Sequence, residues 1–189
     1  MSEQTIRALR AAINNPAIVA RYQSHIRRSD VNGECWLWTG AISGKGHGRF
    51  SIGDDYSTAV GVRRRTTIVV IAHRFGYALH HGVDALLEVP LIAHRCDVTL
   101  CQNPAHWEDS NHRANTRDSH RRRDVVRGPL ADTRGARGRA YAIRAAARSG
   151  TDVAGAIRDG LRPVHRDQLL LPTLESGSAA DFEPPAPSG

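Results

Sequence analysis

The stretch HRCDVTLCQNPAHWEDSNHRANTRD, residues 94–118, packs three His, two Cys and three Asn into one short segment. No other part of the chain constrains the fold as strongly. Cys96, Cys101 and His106 are separated by four residues each time, C-x4-C-x4-H. Two thiolates and an imidazole on one loop can close around a single tetrahedral ion. Cys35, far upstream beside a tryptophan in a predicted strand, is the remaining cysteine and the natural fourth ligand. An odd number of cysteines fits a disulfide framework badly. Cys3His is a closed shell of soft and borderline donors, and it suits a structural zinc. The binding free energy, on the order of 10 kcal/mol in small zinc modules, then acts as folding energy. That contribution matters in a chain whose aromatic content is only 5%. The bland alternative is three buried thiols and an unrelated histidine.

His94 precedes Cys96 by two residues, at the end of a predicted strand, and is not needed for that shell. Asn115 follows 21 residues later, in a predicted helix. A strand-end histidine facing a helical asparagine across a zinc-pinned loop is an arrangement that can cleave phosphodiesters. The histidine takes a proton from water, and the asparagine oxygen helps hold a divalent ion on the scissile phosphate.

Charge points the same way. The formal net charge is +7, and Lys45 is the single lysine, so nearly all the positive charge is arginine. Arginine forks two hydrogen bonds onto a phosphate or a guanine edge, which lysine cannot do. A coding bias toward Arg, Ala and Gly is the competing explanation. The amphipathic N-terminus, with Ile6, Leu9, Ile13, Ile18 and Val19, is interrupted by charges and is not a signal peptide. No apolar run is long enough to span a bilayer. The expected setting is soluble and cytoplasmic.

Local patterns divide the chain into a helical segment over 1–30, a zinc-stabilised domain over 31–124, an Arg/Ala-rich helical extension over 125–167 and a disordered tail over 168–189. Residues 4–28 read as helix broken at Pro16. CWLWTG and GRFSIG read as two strands of one hairpin, joined by AISGKGHG. TTIVVIA is a β-branched strand that runs into a short helix, HRFGYALHHG, stopped by Gly82. LLEVPLIAH reads as a further strand, and a short strand is expected near HWE. A helix begins at about Ser110, a good N-cap.

The motifs CWLWTG, GHGRF, AHRFGYALHHG, HRCDVTLCQNPAHW and NTRD occur in the order found in HNH nucleases of the ββα-metal class. The chain resembles that family over residues 35–118, and most closely its phage and homing-endonuclease branch and the His-Cys box enzymes. The resemblance implies an α+β fold, with a ββα-metal nuclease core behind a β-hairpin and with flanking helices. It implies His94 as general base, Asn115 as ligand of a catalytic Mg2+ or Mn2+, and zinc at Cys35, Cys96, Cys101 and His106. An arginine of the hairpin, here Arg49, is expected at the scissile phosphate. This sequence departs from the pattern at Ala93, where many relatives carry an ion-binding Asp, at His47 in place of Tyr, and at Trp107 in place of Leu. With Ala93, the ion falls to Asn115, DNA oxygens and water, with Asn111 and Asp118 as candidate helpers on the same helix. His73 reads as a packing or helix-start histidine.

The runs Arg63-Arg64-Arg65 and Arg121-Arg122-Arg123 flank this module and are expected to touch phosphates. Double-stranded DNA is the expected partner. Two further readings stand beside the endonuclease: a zinc-stabilised DNA-binding module or regulator without catalysis, and a purely structural zinc domain. A homodimer is the expected assembly if both strands are cut, through the Ile6–Leu9–Ile13 face or the apolar QLLLPTL at 168–174.

Overall fold

The computed structural model describes residues 1–29, 31, 33–59, 62–117 and 132–160; of 55–59 and 62–64 the backbone alone is described. Helices α1 (Glu3–Ile13) and α2 (Pro16–Ser24) meet at a double asparagine. Ser2 caps α1 by accepting from the Thr5 amide. Asn15 caps α2 by accepting from Ala17 and Ile18, with Pro16 in the first turn, where its missing N–H costs nothing. The break predicted at Pro16 is therefore a clean change of helix.

Strand β1 (Ile26–Arg27) pairs antiparallel with β2 (Leu37–Trp38). Strand β3 (Ala41–Ile42) pairs with β4 (Gly48–Ala59), which pairs along its length with β5 (Val62–Ile71), with a bulge between Ser51 and Gly53. The expected CWLW–GRFSIG hairpin is thus corrected. The strand opposite Gly48–Arg49 is Ala41–Ile42, while Leu37–Trp38 turns the other way to join β1. The reason is Trp38, which is fully buried and donates its indole N–H to the Ala41 carbonyl at 2.9 Å, so the chain kinks between β2 and β3.

Helix α3 (Ala72–His81) ends where Gly82 takes φ 91° and returns its N–H to Ala78. A side chain rarely tolerates that conformation, which is why a glycine stops the helix. Helix α4 (Val83–Glu88) follows, then strand β6 (Leu91–His94). Leu86, Leu87 and Glu88, expected in a strand, are helical instead; Leu86 is fully buried in the core and Leu87 points out. Strand β7 (Trp107–Ser110) pairs antiparallel with β6, His94 opposite Trp107. Helix α5, described over residues 112–117, comes next. Its cap is Asn111, whose side-chain oxygen accepts from Ala114 at 2.9 Å; Ser110 is the last residue of β7. Helices α6 (Gly135–Ser149) and α7 (Val153–Arg158) complete the described chain. The architecture is α+β with small antiparallel sheets.

One core joins these parts. Tyr22, Trp38, Phe50 and Phe75 stack with ring centroids 4.8–5.8 Å apart. Leu9 and Ala12 of α1 and Ala140, Ile143 and Ala147 of α6 belong to the same cluster. Leu9 is fully buried and Ile6 and Ile13 pack beside it, so that face of α1 covers its own domain and is not a free dimer surface. The other candidate, 168–174, lies outside the described residues. At Gly76 of α3 an added Cβ would collide with the Tyr22 hydroxyl and stand 2.7 Å from the Trp107 ring. Glycine here lets α3 approach β7. Among the described residues no helix is long and apolar enough to cross a membrane.

Candidate functional site

The four ligand atoms of Cys35, Cys96, Cys101 and His106 lie within 4.8 Å of one another. Backbone bonds bring them together. Trp38 N–H donates to the Leu100 carbonyl at 2.9 Å and Gln102 N–H to the Trp36 carbonyl at 2.6 Å, so the 96–106 loop is stitched to the chain that carries Cys35. The buried Asn103 donates its side-chain amide N–H to the Glu34 carbonyl at 2.8 Å and caps the short helical turn Pro104–His106. Asp97, at φ 56°, makes the tight turn after Cys96.

His106 Nε2 faces the Gly33 carbonyl at 2.9 Å. A carbonyl only accepts, so Nε2 donates and Nδ1 keeps its lone pair. Nδ1 stands 3.5 Å from the Cys35 sulfur and 3.3 Å from that of Cys101. Around a tetrahedral ion with bonds of about 2.3 Å to sulfur and 2.0–2.1 Å to nitrogen, those atoms would sit roughly 3.6 Å apart. The three sulfurs share hydrogen bonds: those from Cys101 and Cys35 lower the Cys96 thiol, and the same bonding raises Cys35. Three thiols this close favour ionisation of at most one of them. A divalent cation removes that limit by taking all three as thiolates. This is a candidate metal centre, with its histidine oriented by an outer hydrogen bond in the usual manner.

A cleft of about 530 Å³ opens beside it, and His94 and Asn115 both line it. His94 ends β6, and Asn115 stands exposed on α5, so the strand–strand–helix order of β6, β7 and α5 brings them to one place. His94 Nε2 lies 3.1 Å from the Cys101 carbonyl. By the same reasoning Nε2 carries the proton, and Nδ1, which no described residue bonds, keeps its lone pair. Burial holds the His94 pKa below the ordinary histidine value, although the Cys96 thiolate and the Cys101 carbonyl oppose that. The imidazole is therefore neutral at neutral pH and can accept a proton. The candidate metal centre and His94 are linked through a single residue: Cys101 offers its sulfur to one and its carbonyl to the other.

Three more histidines line the cleft: His47, His73 and His112. The His73 ring stands edge-on to His94, centroids 4.7 Å apart at 87°, and 5.5 Å from His47. Burial drives the His73 pKa well below normal, and repulsion from His94, His47 and Arg74 adds to this. Burial lowers His47 similarly, with His94 and Lys45 adding. His73 Nδ1 is the one buried side-chain nitrogen or oxygen without a hydrogen-bond partner among the described residues. His112 and Asn115 share a face of α5 at i and i+3, a spacing visible in the sequence. His47 and His73 had no such signal, because β4 and α3 bring them in from distant positions.

Other expected residues lie elsewhere. Arg49 sits on β4 opposite Ala41 and Ile71, on the exposed face, and does not line the cleft; Lys45 and Arg74 do. Asn111 is engaged as the α5 cap and is also absent from the lining. The described carboxylate that lines the cleft is Asp97. Ala93 lines it too, so the residue before His94 brings only a methyl to the cleft. Arg65 is exposed on β5 and pairs with Asp54 at 2.6 Å. The side chains of Arg63 and Arg64, and residues Asp118, Arg121, Arg122 and Arg123, lie outside the described residues.

No protein-family model, no curated protein and no solved structure matches this chain.

Proposed function

We propose that this protein is a metal-dependent DNA endonuclease of the HNH type that hydrolyses phosphodiester bonds. The observation that carries the reading is His94, a neutral imidazole with its Nε2 proton committed to the Cys101 carbonyl and its Nδ1 lone pair unbonded by any described residue, in one cleft with Asn115. That is the equipment of a general base poised to take a proton from an attacking water. Asn115 and Asp97 offer the hard oxygen donors that Mg2+ or Mn2+ prefers. A divalent ion bound there would neutralise charge on the phosphate and stabilise the leaving oxygen. Few protein oxygens reach this site, so affinity for the ion is weak and more than one divalent ion serves. Lys45 and Arg74 bring positive charge to the cleft walls and favour an anionic substrate. Cys35, Cys96, Cys101 and His106 hold a structural zinc, for which three sulfurs and one imidazole are the preferred donors. Zinc bound there would hold Cys101 in place, and with it the carbonyl that orients His94.

One such site cuts one strand at a time, so double-strand cleavage needs a homodimer or two visits. Ala93 favours a second reading, a DNA-binding module without catalysis. Plasmid nicking in Mg2+ or Mn2+, beside His94→Ala, separates the two. Nicking by the wild type alone is expected, and equal nicking by both would refute the assignment. Metal analysis of protein purified without chelator should find about one zinc per chain.

A further inference from the structure

Helix α6 carries four arginines beyond its first residue and no acidic residue. Arg139 is turned inward, buried, with its guanidinium 3.8 Å from the Asp132 carboxylate. Arg137, Arg144 and Arg148, with Tyr141, are spaced i, i+4, i+7 and i+11, which places them on one stripe of the helix. The buried face is a different one, made by Ala140, Ile143 and Ala147.

The stripe is ordered by neutral partners. Arg137 and Arg144 both lie over the Tyr141 ring, 5.4 and 4.5 Å from its centroid, and Arg137 donates to the Tyr141 hydroxyl at 3.3 Å. Arg144 donates to the Gly40 carbonyl at 3.1 Å and Arg148 to the Thr39 carbonyl at 2.9 Å. Among the described residues no carboxylate pairs with any of the three. Within the described residues their guanidiniums are held in place but not neutralised, which makes a fixed row of positive charge. A purely structural role explains Arg144 and Arg148, which tie α6 to the turn between β2 and β3. It does not explain Arg137, which bonds within its own helix.

The row starts beside the cleft. Gly46 lies against the Ala136 carbonyl in the first turn of α6, so closely that an added Cβ would stand 2.6 Å from it. The Gly46 carbonyl accepts from the Thr99 hydroxyl at 2.8 Å, and Lys45, His47 and Thr99 all line the cleft. From Arg137 to Arg148 the helix rises roughly 16 Å, a length over which one strand of a duplex presents about five phosphates. Arginine covers the Tyr141 ring, so the ring is not a platform for stacking unpaired bases, as single-strand binding would want.

We propose that the Arg137–Tyr141–Arg144–Arg148 stripe grips the phosphate backbone of duplex DNA flanking the cleft, without regard to sequence. The identity of the polymer rests on the endonuclease reading above. The test is binding of the full chain to a labelled duplex of arbitrary sequence across a salt series, without added divalent ion. Removing one arginine–phosphate pair should flatten the plot of log affinity against log salt by about 0.9. Arg137→Gln is expected to have that effect once, and Arg137→Gln with Arg148→Gln to flatten the plot by about 1.8. Arg10→Gln, a matched charge loss at the exposed Arg10–Asp84 pair, should leave the slope as it is. Equal slopes in all four proteins would overturn the proposal, as would equal flattening by Arg10→Gln. A wild type that ignores duplex DNA overturns it together with the DNA reading. A stripe-dependent slope in a protein that never nicks plasmid supports the stripe and refutes the nuclease alone.

Discussion

The candidate metal centre and the cleft beside it are built on opposite principles. In the metal centre, three of the four ligands come from one loop, and backbone hydrogen bonds lock that loop to the chain carrying the fourth. Its polar atoms are paired: His106 with Gly33, Asn103 with Glu34, and Gln102 with the Tyr22 hydroxyl at 2.8 Å. The cleft is walled by the loop before β4, the end of β5, α3, β6, the loop around Asp97 and Thr99, and α5, and among the described residues it holds the unpartnered His73 Nδ1. The first is closed and its polar atoms are paired, whereas the second is open and, among the described residues, keeps one buried nitrogen without a partner. The two meet at Cys101, whose sulfur belongs to the closed cluster and whose carbonyl fixes His94 in the open cleft.

The largest expected effect separates the two outright. Cys96→Ser or Cys101→Ser should remove a metal contribution on the order of 10 kcal/mol and leave no soluble folded protein. Folded, metal-free Cys96→Ser with a wild-type thermal transition would show that the centre carries no folding energy. His94→Ala, by contrast, should cost about 100- to 10,000-fold in nicking rate while thermal stability and duplex binding stay near wild type. A variant that loses binding along with cleavage would mean the cleft is as structural as the centre.

A smaller effect tests the packing that brings the halves together. Gly76→Ala should cost about 1–3 kcal/mol in urea unfolding, because its methyl has nowhere to go between Tyr22 and Trp107. No loss would mean that α3 stands off from β7.

The smallest effect concerns His73. Its folded pKa lies well below the ordinary value, and unfolding restores it. Between those two values the unfolded chain binds the extra proton, so stability falls as pH drops below about 6.5. His73→Phe should keep the ring contact with His94, gain on the order of 1 kcal/mol at neutral pH and weaken that acid sensitivity. His47 and His94, shifted in the same direction, preserve the remainder. Urea midpoints measured above and below that pH give the answer. An unchanged pH dependence would show that His73 takes up no proton on unfolding.

Much of this protein was legible in its residues because the signals are local. The ligand spacing C-x4-C-x4-H is a property of one loop, and Asn15-Pro16 and Gly82 mark helix ends through bonds to neighbours a few residues away. Those features are settled by short-range sterics and hydrogen bonding. The tertiary structure decided the rest. Leu37–Trp38 pairs with Ile26–Arg27 because Trp38 must be buried among Tyr22 and Phe50. Leu86 is helical because the core receives it from that side. His47, His73 and His94 come within reach of one another through β4, α3 and β6, and Arg49 is turned away by the register of β4. Each depends on packing between residues tens of positions apart, and nothing in the intervening sequence records which distant face will be the neighbour.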